Sequence, residues 1–174
     1  MATMNSLSRM WDMMRQRHGI AMRALERLPE AALDSHPIRL MRTPKELVVH
    51  WYGMAMKNMT EGALRGSIEE LDEQAAAAAI KTKADLIRYA HECWTAADRA
   101  FHQLTEEKVN GVVETPWGNT LRGSYCLGAA NDESIHHRGQ FFAFLRVLGE
   151  EPPDMWDFKN NAPEYQPRVR APQG

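Results

Sequence analysis

Between residues 126 and 148 the chain sets Cys126, Ala130, Glu133, His137, Phe141, Phe144 and Leu148 at steps of four, three, four, four, three and four. An α-helix brings side chains at those steps onto one face, whereas a strand would scatter them over two. The segment therefore predicts a long helix with a single inward stripe, and such a stripe has to be buried against other elements. Two of its members, Glu133 and His137, are ionisable. Groups of that kind on a buried face are costly unless they pair with each other or coordinate something.

Three further helices follow from the same periodicity. Leu7, Met10, Trp11, Met14, Ala21, Leu25 and Leu28 mark a first helix over 7–28, which Pro29 is placed to stop. Thr43-Pro44-Lys45-Glu46 supplies a capping hydroxyl, a proline at the first helical position and an acid at the third, so a second helix starts there and runs to about Leu64. Residues 65–80, with Gly66, a short acidic run and Ala75 to Ala79, can form a short helical turn but offer little to pack, and read as a long connection. From Thr82 or Lys83 to about Thr105 a third helix carries Leu86, Ala90, Cys93, Ala97, Phe101 and Leu104 on one side. Pro116-Trp117-Gly118-Asn119 is a turn signal between short extended pieces, and the fourth helix begins around 121–124. Gly149 and Pro152-Pro153 end it. The expected architecture is an all-α four-helix bundle over 1–158 with a proline-rich tail at 159–174.

Composition narrows the function. Twenty-one basic residues face 23 acidic ones, a formal net charge of -2, which offers no general field for a phosphate backbone, so nucleic acid is not an expected partner. No apolar run reaches the ~20 residues that span a bilayer, and the amino terminus has no apolar signal core, so no membrane is expected and a cytoplasmic location is the prior. Cys93 and Cys126 fall within helical segments, far from any metal-knuckle or redox spacing, and read as structural thiols.

The interior polar residues carry the chemistry. Glu133 and His137, four apart, can reach one ion between them, and His50 lies on the same side of the second helix as Leu47 and Met54. Two imidazoles and a carboxylate with open positions suit zinc, nickel, iron or manganese. A hydrogen-bonded trio without metal is the alternative. His18, on the inner stripe of the first helix, is placed to approach the same centre or to be satisfied by a carbonyl or water. His136 is turned about 100° from His137 and leaves the inner face. Asn131 and Asp132 are candidates to hydrogen-bond a ligand imidazole, and a rotated helix would bring Asp132 in place of Glu133. Gly139 in mid-helix suggests close approach of another backbone, and with Trp94, Phe142 and Trp156 it points to self-association.

The run Asn131-Asp132-Glu133-Ser134-Ile135-His136-His137-Arg138-Gly139-Gln140, with Phe141 to Leu148, Gly149 and Pro152-Pro153 after it, resembles the signature of the DinB/YfiT-like superfamily. The likeness spans residues 7 to about 158 and includes His50 and the Pro-Trp-Gly turn. It implies an up-down-down-up bundle, frequently a homodimer, with a metal held by three histidines. Carried onto this chain, two of those ligands match His50 and His137, while Glu133 stands at the third position. The resemblance further implies a small-molecule substrate, with a thiol-dependent transferase using a low-molecular-weight thiol as one expectation and a metal-dependent hydrolase or a non-catalytic ligand-binding bundle as others. In the enzymatic readings Glu133 can also leave the metal and act as a proton acceptor.

Overall fold

Thr3, Thr43, Asp72, Thr82 and Thr105 each accept a hydrogen bond from a backbone N–H three residues on, and each opens a helix. The computed structural model describes residues 2–166 and Arg168. Helix α1 spans Met4–Glu26. Helix α2 runs over residues 44–65 as an α-helical start, Pro44–Val48, a π-helical middle, Val49–Asn58, and an α-helical end, Met59–Arg65. It begins with a full capping box between Thr43 and Glu46 and ends at Gly66, whose φ of 90° is the left-handed cap that glycine adopts without strain. Helices α3, Glu73–Ala79, α4, Lys83–Phe101, and α5, Glu106–Asn110, follow. Strands β1, Val112–Glu114, and β2, Thr120–Arg122, form an antiparallel hairpin around the Pro-Trp-Gly turn, and α6, Gly123–Val147, completes the bundle.

α1 packs mainly against α4 and α6, and α2 packs against the same two, so α1 and α2 occupy opposite corners of the bundle. The core is continuous from Leu7 and Trp11 through Tyr52, Met56, Ala90 and Ala97 to Phe141, Phe144 and Leu145. Trp11 stacks on Phe101 at 4.4 Å and on Trp94 at 5.3 Å, and its Nε1 donates to Asp98 Oδ1 at 2.8 Å. Asp98 also takes the buried Arg15 guanidinium at 2.6 Å, which pairs a charge that could not be left alone there.

Several expectations change. Within the connection, residues 73–79 form the short helix that the sequence allowed, capped by Asp72, and it packs across the start of α2 where little packing was expected. Trp94 and Phe142 are buried, at 4% and 6% exposure, so of the three aromatics proposed for self-association only Trp156 is exposed. Gly139 has open space where its side chain would be; it faces outward and meets no other backbone within the protomer. Residues 157–166 are docked on α1. Asn161 donates to the Gln16 carbonyl at 2.8 Å, Asp157 pairs with Arg23 at 2.7 Å, and Gly19 leaves the room that the Asn161 side chain fills. Tyr165 closes over His18.

Candidate metal centre

His50 enters the site from the π-helical stretch of α2, where the wider turn is marked by the bond from the Met59 N–H to the Met54 carbonyl five residues back. Glu133 and His137 come from neighbouring turns of α6. The structure brings the three together: one donor atom from each lies within 4.8 Å of the others. The His50 and His137 rings meet edge to face at 5.1 Å. Glu133 Oε2 is 2.8 Å from His137 Nε2 and 4.0 Å from His50 Nε2.

The outer nitrogens of both rings are taken. His50 Nδ1 lies 2.7 Å from Glu73 Oε1, and His137 Nδ1 lies 2.7 Å from Gln140 Oε1. An imidazole that donates from Nδ1 and is neutral presents a lone pair at Nε2. Neutral rings bonded in this way present both Nε2 lone pairs to the space beside the Glu133 carboxylate, and three acceptors converge with no donor among them. His137 Nε2 is buried and has no hydrogen-bond partner, because Glu133 is near it but off the direction a hydrogen bond requires. Burial pushes the His137 imidazole below the usual histidine range, with the Gln140 contact acting the other way, so a proton is not the favoured way to fill that gap. A divalent cation fits the donor set: two oriented imidazoles, one carboxylate, and an open side where Glu133 is 44% exposed.

Residues expected near this centre and found elsewhere are explained by helix geometry. Asp132 is exposed and turned to the outer side of α6, where it accepts from the Asn131 amide at 3.2 Å, so it cannot replace Glu133. Asn131 instead accepts from Arg17 Nη1 at 2.9 Å, on the α1 side of the helix. Neither touches a ligand imidazole. Glu73 and Gln140 hold those positions. Gln140 was reachable in principle, since it sits three residues after His137 on the same helix. Glu73 was not, because only the folding of α3 back onto α2 brings it to His50. His18 is buried among aromatics, stacked on Trp94 at 4.7 Å with Nδ1 2.9 Å from the Tyr52 hydroxyl, and it stands outside the cluster. His136 is exposed, as its position on the helix requires. Cys93 and Cys126 are buried free thiols, each pushed up to about 11 by desolvation.

The model of the DinB family matches residues 1–168. No curated protein matches the chain. Among solved structures, a DinB-like protein of Bacillus subtilis superposes with a TM-score of 0.63 at 20% identity, over 88% of this chain and 94% of that one. YfiT from Bacillus subtilis, described as a probable metal-dependent hydrolase with an unusual four-helix bundle topology, gives 0.66 at 15% identity, over 85% and 89%. A mycothiol-dependent maleylpyruvate isomerase gives 0.61 at 20% identity, over 85% of this chain and 70% of its own. At these identities the likeness shows a shared helical-bundle fold, and the family match over nearly the whole sequence shows the rest: the chain belongs to the DinB family, within the DinB/YfiT-like superfamily.

Proposed function

We propose that this protein is a metal-dependent enzyme, with His50, Glu133 and His137 as ligands of one divalent ion, zinc or nickel before iron or manganese, and that it transfers a low-molecular-weight thiol to a small electrophile. The observation that carries the reading is the convergence of two Nε2 lone pairs and a carboxylate oxygen, each imidazole held from behind by Glu73 or Gln140. A bound divalent ion supplies Lewis acidity, which lowers the pKa of a thiol or of water. The residues do the remainder. Glu73 and Gln140 fix the ring orientations and leave both Nε2 atoms free to donate. Glu133, on the open side, is placed to accept the proton that a thiol loses as its sulfur bonds to the electrophilic carbon and the leaving group, chloride for an aryl chloride, departs with its bonding pair. The protein's own thiols are buried with raised pKa, so the attacking sulfur comes from outside.

The test uses untagged protein loaded with each of the four metals, assayed with cysteine and with glutathione on an activated aryl chloride. Loaded protein should transfer and stripped protein should not, and His137→Ala should lose both metal and activity. Transfer that survives metal removal and disappears in a Cys93→Ala/Cys126→Ala variant would overturn the reading. Hydrolysis is the second reading, favoured by the exposed Glu133 carboxylate, which can accept a proton from water as well as from a thiol. Turnover of an aryl ester without added thiol would place it first.

A homodimer belongs to the same proposal. The amino-terminal half of α6 and the hairpin beside it turn Tyr125, Val112 and Trp117 outward at 62%, 67% and 60% exposure, with open space beside Gly128. A face of that kind buries itself against its own copy about a two-fold axis. Sedimentation at micromolar concentration should show twice the chain mass, and Tyr125→Glu should return it to the monomer.

A further inference from the structure

On the flank of α6 that faces away from the metal ligands, a groove of about 890 Å³ lies between the helix and residues 149–155. Its helix wall is Arg138, Phe142 and Arg146, spaced by four and so aligned on one side, with Ile135 and Gly139 beside them. Arg138 is only 4% exposed, and its Nη1 is buried without a hydrogen-bond partner. Neither Arg138 nor Arg146 has a carboxylate within ion-pair distance among the described residues. The Phe142 ring, 6.0 Å from Arg138 Cζ, is weak compensation for a buried charge.

The geometry points to a binding site for a small amphipathic carboxylate, whose carboxyl group lies against Arg138 and Arg146 and whose apolar body lies over Phe142, Ile135 and Met155. A guanidinium matches a carboxylate with two parallel N–H bonds, and the ligand charge is the partner that Arg138 lacks. Ile135 and Met155, at 42% and 44% exposure, leave apolar surface for the body of the ligand to cover. Glu150, Glu151 and Asp154 line the opposite wall, which excludes ligands carrying a second negative charge on that side. The site is independent of the metal centre, because the Arg138 side chain leaves α6 about 100° away from that of His137.

Calorimetric titration of the full chain with 4-phenylbutyrate tests this, with the neutral 4-phenylbutanol as control. The acid should bind and the alcohol should bind at least tenfold more weakly. Arg138→Gln should weaken the acid at least tenfold, and Arg146→Gln should weaken it by a smaller factor. Gly139→Phe, at a position with open space around it, should block the groove without disturbing the core, which keeps the test decisive if Arg138→Gln does not fold. Titration in chelator should give the same affinity as with zinc, so failure here is distinguishable from failure of the metal reading. No binding of the acid, equal binding of the alcohol, or unchanged affinity in Gly139→Phe would overturn the proposal.

Discussion

The buried imidazole of His18 makes this fold less stable in acid. His18 is held well below the usual histidine range, first by burial and then by His91. Because the unfolded chain binds that proton at about pH 6.5 and the native chain does not, stability is full above that value and falls as pH drops below it, by up to about 1.4 kcal/mol per pH unit. Chemical denaturation between pH 7 and pH 5 should show this slope, and His18→Phe should reduce it, leaving the part that His137 contributes in the metal-free protein. At the metal centre, His137→Ala should abolish stoichiometric metal, measured by elemental analysis, because an imidazole is lost without replacement. Glu73→Gln is subtler. It keeps a hydrogen-bond acceptor but removes the charge behind His50, and metal affinity should fall by roughly 10-fold to 100-fold with the helical circular-dichroism signal intact.

At the scale of elements, α3 is the part that sequence periodicity could not read. The bundle helices announced themselves through stripes such as Leu86-Ala90-Cys93-Ala97, and the stops at Gly66 and Gly149 and the box at Thr43 followed local rules. Five consecutive alanines carry no stripe, and the importance of Glu73 comes only from its tertiary contact with His50. The π-helical turn that carries His50 is equally silent, since its hydrogen-bond shift has no periodic signature over ten residues. Asp72→Ala should cost about 1 kcal/mol of helix stability at α3. Hydrogen exchange should report it as faster exchange in residues 73–79, together with weaker metal binding, while α4 and α6 stay protected.

For the whole molecule, the four helical stripes were enough to define the bundle. Within the described residues no helix is long and apolar enough to cross a membrane. Pairing of distant segments was out of reach, as with the docking of Asn161 beside Gly19, which depends on one missing side chain. Gly19→Ala should push that docked segment off α1, seen as faster proteolysis after residue 155 with the bundle itself still folded.

If the proposed metal-dependent reaction holds, the carboxylate at residue 133 has an electrical consequence for its turnover. A dication bound by two neutral rings and Glu133 keeps one positive charge, and Glu73, hydrogen-bonded directly behind His50, brings the assembly to neutrality. Three neutral rings in place of the carboxylate would leave that total positive and grip an anionic sulfur or oxygen more firmly. The neutral arrangement would let an anionic product go sooner, at the expense of some power to create the anion in the first place. Glu133→His should therefore bind thiols more tightly and release products more slowly, so the substitution shifts the slow step of the cycle from activation of the nucleophile to departure of the product.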